Sequence, residues 1–202
     1  FNGCIHCPLF KPFQKDYEYV CSHLDFSRTI KKLGESFLNE HLNTNPFIAF
    51  HLRYPDDIKE LESLSEYTKK EYNEYKMIDA ILETYNTNND NNDNDNNDNQ
   101  DKFKLFIATN KPNRLKQLIK TDSKYKCIVF NTLKSDYNGW IEQYICTKAD
   151  IFISFPVNMY DYIKKPHKCS TFSSFITDYR NYFLKLPKSK SINILDIYNP
   201  TT

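Results

Sequence analysis

Glycine is almost missing from this chain: there are 3 in 202 residues, at Gly3, Gly34 and Gly139. Loops that cradle phosphate on backbone N–H groups need glycines at short spacing. Neither a GxGxxG turn nor a P-loop can therefore be written, and nucleotide binding through a glycine loop is excluded. Charge of one sign is missing too. Lys plus Arg number 27 against 26 Asp plus Glu, a formal net charge of +1. No global field draws the chain to nucleic acid or to an anionic membrane, so any partner is recognised locally. No apolar run approaches the ~20 residues that cross a bilayer. No asparagine stands in an Asn-x-Ser/Thr acceptor, since Asn199 is followed by Pro200. The first residues, Phe1-Asn2-Gly3, hold neither a starting Met nor a basic, apolar leader. The expectation is a processed chain or the C-terminal part of a longer one.

Material for a core is plentiful. Tyr and Phe number 15 each, and the length suits one full domain. Six cysteines (Cys4, Cys7, Cys21, Cys127, Cys146, Cys169) are an even number. A chain of this size is not a small disulfide scaffold, however, and parity does not fix its compartment. From Asn86 to Asp101 the sequence is almost only Asn and Asp, which bury too little apolar area to offset the entropy of ordering them, so this stretch reads as a disordered insert.

Elsewhere short apolar runs alternate with amphipathic segments, the pattern of parallel strands joined by crossover helices. The spacing predicts a helix from about Phe26 to His41, with Ile30, Leu33, Phe37 and Leu38 on one face, and then a buried strand from Pro46 to Leu52. A helical stretch follows over Lys59 to Tyr85, then a strand from Phe103 to Thr109 and a helix opening at Pro112. Cys127 to Phe130 and Asp150 to Phe155 read as strands flanking a helix from Trp140 to Cys146, and a last helix runs from about Thr171 to Phe183. The expected fold class is α/β, with a Rossmann-like open parallel sheet. Ligands of such sheets lie beyond the C-terminal strand ends, which points to the residues just after Phe50, Ala108 and Ile153.

Three segments carry chemistry. In Phe47-Ile-Ala-Phe-His51-Leu-Arg53-Tyr-Pro-Asp-Asp57 a buried strand delivers an imidazole, a guanidinium and carboxylates at its exit, where a fork of donors would meet a phosphate. The same residues read equally as an ion pair of Arg53 with Asp56 or Asp57 at a strand end. In Cys169-Ser170-Thr171-Phe172-Ser173-Ser174-Phe175 hydroxyls at the mouth of a helix offer an anion site without glycine, or an ordinary cap with Phe172 and Phe175 in the core. Asp150 opens an apolar strand, as a receptor for paired N–H groups or as a capping residue.

Taken in order, His51-Leu-Arg53 with Asp57 four residues after the arginine, Leu105-Phe-Ile-Ala-Thr-Asn110, Ala149-Asp-Ile-Phe-Ile-Ser154 and Ser170-Thr-Phe-Ser-Ser-Phe175 ending in Arg180 resemble the C-terminal, nucleotide-sugar-binding domain of the GDP-fucose protein O-fucosyltransferases. Leu24-Asp-Phe-Ser27 and Phe37-Leu38 also look similar. The resemblance implies half of a two-domain GT-B-type glycosyltransferase, with residues 1–24 leading in from a preceding half and residues 25–202 forming the GDP-fucose-binding domain. It also implies inverting, metal-independent transfer of fucose from GDP-fucose to a Ser or Thr hydroxyl of an acceptor protein, in the endoplasmic reticulum lumen or Golgi. By the same resemblance Arg53 is the catalytic residue, binding the β-phosphate and assisting its departure. His51 and Asp57 would shape the diphosphate and fucose pocket, Asp150 would read guanine, and Ser170, Thr171 and Phe172 would hold phosphate.

The chain departs from the family pattern at Asn110, where aspartate is usual, in the extra residues from Phe155 to Cys169, and in the Asn/Asp run. Two other readings stand beside this one. The fold could serve as a catalytically silent binding or structural domain. Alternatively, Cys4, Cys7, Cys21 and His23 have a spacing that a zinc-stabilised interaction module could use.

Overall fold

The computed structural model describes residues 14–42, 46–54, 73–87, 103–121, 127–130, 137–155 and 171–198. Five strands form one sheet: β1 (Phe47–Leu52), β2 (Lys104–Thr109), β3 (Cys127–Val129), β4 (Ile151–Ser154) and β5 (Ser191–Asn193). Their order is β3-β2-β1-β4-β5 and every pairing is parallel. All six residues of β1 are buried, as expected for the middle strand of a sheet covered on both faces.

Side chains alternate across the sheet with period two and sort into two cores. Phe47, Ala49, Phe106, Ala108 and Phe152 face one side, together with Phe26, which precedes helix α2 (Arg28–Phe37), Ile30 and Phe37 of that helix, Ile141, Tyr144 and Ile145 of α5 (Asn138–Lys148) and Ile176 of α6 (Thr171–Asp178). Ile48, Phe50, Leu52, Leu105, Ile107 and Ile153 face the other, with Met77, Ile78 and Ile81 of α3 (Glu74–Thr87) and Leu115 of α4 (Pro112–Thr121). The chain thus runs from β1 to β3 with its helices on one face, then crosses the opposite face through α5 to reach β4. The winding reverses between β1 and β4, and open sheets of this kind bind their ligands beyond the strand ends at such a switch point.

The expected strands are all present, each within a residue or two of its predicted limits. Helix α3 begins at Glu74; residues 59–72 of the predicted helix, and most of the Asn/Asp run, lie outside the described residues. Two elements differ from expectation. Helix α2 ends at Phe37 and passes into a wider turn over Leu38–Leu42, and Leu33 is exposed where a core position was predicted. The buried position on that face is Gly34, whose missing side chain makes room for Tyr144. A Cβ there would stand 2.3 Å from Tyr144 Cδ1, and Tyr144 reaches past it to donate to Glu35. Helix α1 (Gln14–His23) is an element that the sequence pattern does not predict. It packs on the turn that follows α6, where Tyr17 Oη donates to Asp178 Oδ2 at 2.6 Å.

Arg180 holds the sheet's far edge to its helices. It is fully buried and donates to Ala149 O at 2.6 Å, Thr147 O at 3.1 Å, Lys190 O at 2.9 Å and Ser191 Oγ at 3.2 Å. A cation at the C-terminal carbonyls of α5 satisfies groups that have no partner within the helix and complements its dipole. The same fork secures the start of β5, a strand with too little sequence signal to predict.

Candidate functional site

Strand β1 is straight and fully packed up to Leu52, so its direction fixes where His51 and Arg53 emerge. Alternation puts His51 on the face covered by α6, with Arg53 just beyond the strand end. The first turn of α6 meets His51 there: the Phe172 ring stacks on its imidazole at 4.4 Å between centroids and 27° between planes. One residue further on, Ser173 Oγ lies 2.8 Å from His51 Nδ1 and accepts from Phe155 N–H at 3.2 Å. The exits of β1 and β4 and the start of α6 therefore share one buried hydroxyl, directly at the switch point.

His51 is buried, and burial first, then the neighbouring Arg53 guanidinium, lowers its pKa to about 3. The ring is neutral at physiological pH, next to the Arg53 guanidinium. Arg53 itself is half-buried. Its backbone is pinned from the next strand, where Asn110 Nδ2–H donates to Tyr54 O at 2.8 Å and Asn110 Oδ1 accepts from Tyr54 N–H at 2.8 Å. The amide thus pairs with both polar groups of the residue after Arg53, as a peptide would in a sheet. A carboxylate could accept from Tyr54 but could not donate to it, so asparagine at this position supplies a bond that aspartate cannot.

A further carboxyl stands at the same end of the sheet. Glu142, in the second turn of α5, is buried, with Oε1 accepting from Thr109 N–H at 3.4 Å. Burial pushes its pKa up from 4.5 to about 8, against the pull of the Thr109 N–H, so it holds its proton near neutrality. Sequence reading passed over Glu142. The available signal was an acid on the helical face that also carries Ile141 and Ile145.

Of the residues expected in the site, His51 and Phe172 are in contact, and Arg53 lies near enough to His51 to act on its charge. Thr171 opens α6 beside them, while Asp57 and Ser170 lie outside the described residues. The residues added between β4 and α6 do not carry the helix away, since its first turn still packs on His51. Asp150 does not join the group. Its Oδ2 accepts from Phe47 N–H at 2.9 Å and its N–H donates to Phe47 O at 3.0 Å, which ties it to the N-terminal edge of the sheet, opposite the strand exits. Asp150 opens its parallel strand, so it stands at the end of the sheet away from the exits of β1 and β4.

The zinc set is also split. Cys21 is buried and His23 is exposed, with His23 Nδ1 against Tyr19 O at 2.7 Å, because positions two apart on a helix do not face each other. Cys4 and Cys7 lie outside the described residues. Among the described residues, Cys21, Cys127 and Cys146 are free thiols and no cluster of three or more metal-ligating side chains is present.

An apolar strand exit bearing His-Leu-Arg against a hydroxyl-rich helix start is the arrangement that the sequence resemblance implies, and comparison with known proteins decides the matter. The family profile described as GDP-fucose protein O-fucosyltransferase matches residues 5–183. The chain belongs to this family. A search of curated protein sequences gives no match. Among solved structures, POFUT1 in complex with GDP-fucose superposes with a TM-score of 0.53 at 16% identity, covering 87% of this chain and 48% of that one. POFUT1 in complex with GDP gives 0.54 at 15%, covering 87% and 49%. At such identities the likeness is one of fold, that of a GT-B-type glycosyltransferase, and the chain spans about half the length of the POFUT1 chains. For this O-fucosyltransferase family member, the matched span takes in α1 through α6 and every residue of the described cluster.

Proposed function

We propose that this chain binds the donor GDP-fucose at the β1–β4 crevice, and that Arg53 draws off the departing GDP as fucose passes to a Ser or Thr hydroxyl of an acceptor protein, with inversion and without a metal ion. The observation that supports the reading is the packing of the first turn of α6 on His51, through the Phe172 stack and the Ser173 bridge, two residues before Arg53.

The chemistry follows from charge. As the sugar carbon loses its bond to the β-phosphate, negative charge gathers on the leaving phosphate oxygens. A guanidinium fork and the unpaired N–H groups at a helix start, already in place, stabilise that charge in the transition state. Thr171 and Phe172 would contribute these N–H groups, and the neutral His51 would donate to the diphosphate or to a fucose hydroxyl. Asp57 and Ser170 enter on sequence resemblance alone. Near the guanine, the carboxyl on this side of the sheet is Glu142. Paired donors on the base edge would favour its ionised form and reverse the shift that burial imposes. A lumenal setting in the secretory pathway accords with the family.

Titration calorimetry with GDP tests the proposal. The wild-type chain binds GDP, and Arg53→Ala weakens binding by about ten- to a hundredfold, the loss expected for hydrogen bonds between charged partners. If GDP gives no heat at millimolar concentration, or Arg53→Ala binds as tightly as wild type, the proposal fails.

A further inference from the structure

We propose that Arg114 is a positioning residue that holds Arg53 in place by closing over the ring of Tyr54. The inference rests on the donor-binding reading above and says what aims the cation that this reading gives to the diphosphate.

The residue after Arg53 is gripped from beyond β2. The peptide unit that joins Arg53 to Tyr54 is planar, and its N–H donates to Asn110 Oδ1 at 2.8 Å, while Tyr54 O accepts from Asn110 Nδ2–H at 2.8 Å. On the other side of Arg53, Leu52 pairs with Thr109 in the sheet. The main chain is thus held before and after Arg53, which sets the direction in which its side chain leaves. The Tyr54 ring is fully buried in the core beneath α3 and α4. Over it lies the Arg114 guanidinium, from the first turn of α4, at 4.6 Å from the ring centroid. Arg114 Nη2 donates to Glu74 Oε1 at 2.8 Å, at the start of α3. The arginine side chain is 60% exposed and that of Glu74 12%, so the guanidinium covers the ring on its solvent side and a nearly buried carboxylate sets its direction.

The placement suits the chemistry asked of Arg53. A guanidinium on a loose loop would lose freedom on meeting a phosphate, whereas one whose main chain is already fixed loses less and binds more tightly. Asn110 and Arg114 stand on either side of the turn into α4, so one connection holds Tyr54 by its main chain and by its ring. The exit of β1 is thereby tied to the exit of β2, its neighbour in the sheet. Tyr54 packs in the core on the face opposite α6, so Arg114 acts on Arg53 from behind the site rather than on the ligand.

The test is titration calorimetry with GDP on the intact chain as wild type, Arg114→Ala, Arg53→Ala and the double variant. Arg114→Ala is expected to weaken GDP binding about three- to tenfold while Arg53 is present and to change it little once Arg53 is alanine, a non-additivity in the range for residues coupled through a shared neighbour. Unchanged affinity in Arg114→Ala would leave the residue a structural part only, and an equal loss in both backgrounds would mean that it meets the ligand itself; either overturns the proposal. A second measurement needs no ligand. The Tyr54 N–H is expected to exchange with deuterium about tenfold faster in Arg114→Ala than in wild type, while the N–H groups of Ala49 and Phe50 keep their rates. An unchanged Tyr54 rate also overturns the proposal. If Arg114→Ala does not fold, Glu74→Gln, which keeps the guanidinium and weakens its tether, goes through the same comparisons and decides. If the wild-type chain binds no GDP, the functional reading fails, and the exchange rates alone decide whether Arg114 holds Tyr54.

Discussion

Replacing Arg180 with methionine keeps the length of the stem and removes the guanidinium, and the cost of this change can be worked from its contacts. The fork serves three main-chain carbonyls at 3.1 Å or less, Ala149, Thr147 and Lys190, with longer contacts to Cys146 O and Asp150 O at 3.4 and 3.3 Å. A net contribution of about 1.5–3 kcal/mol for each charged hydrogen bond would overstate the total, because burying the guanidinium itself costs several kcal/mol. Burial lowers its pKa only to about 10, so the group stays charged at neutral pH and that cost is present in the native state.

What truncation leaves behind is a set of buried carbonyls without partners, at about 1–3 kcal/mol each before relaxation. Taken with the lost cost of the charge, the expected destabilisation is about 3–5 kcal/mol, the range for breaking a buried charged network from one side. In a chain of this size that lowers the melting temperature by about 10 °C or more. Urea unfolding followed by circular dichroism gives the free energy directly. Arg180→Lys, with a compact charge in place of a planar fork, recovers only part of the loss. A shift below about 1 kcal/mol for Arg180→Met would refute the reasoning, since the carbonyls would then be satisfied without the side chain.

Two further predictions concern the site end of the sheet. Asn110→Ala removes both bonds to Tyr54 and is expected to cost about 1–2 kcal/mol in stability and to weaken GDP binding, whereas Asn110→Asp keeps one bond and falls between the two proteins; equal GDP affinity across all three, measured by calorimetry, would rule out a part for Asn110 in holding Arg53. Glu142 has a folded-state pKa raised from 4.5 to about 8, so the folded chain binds the extra proton and stability contributed by this group is lost as pH rises from about 4.5 to about 8; Glu142→Gln should flatten that part of the stability profile, and an unchanged profile would show that burial does not hold the proton there.

How far the amino-acid order revealed this molecule depends on which physical signal each part carries. Buried parallel strands are apolar on both faces, so Phe47 to Leu52 and Leu105 to Ala108 stand out as continuous runs. Their exits put His51 and Arg53 at the C-terminal end of β1. The same logic puts Asp150, just before β4, beside Phe47 at the opposite end. Helix α1 carries no comparable signal. Its sequence is largely polar, and a tertiary contact, Tyr17 to Asp178, secures it. Gly34 is buried in place of Leu33 because α2 and α5 approach closely enough for Tyr144 to need the space a side chain would fill, and periodicity within one helix contains no information about its neighbour. Glu142 and Asn110 act through partners on other elements, Thr109 and Tyr54, that come close only when the sheet forms.

The most direct test of the central claim is a crystal structure of the chain soaked with GDP. The account predicts both phosphates between the Arg53 guanidinium and the first turn of α6, within hydrogen-bond distance of each, at the crevice between β1 and β4. GDP bound elsewhere on the chain, or phosphates seated out of reach of Arg53, would contradict it.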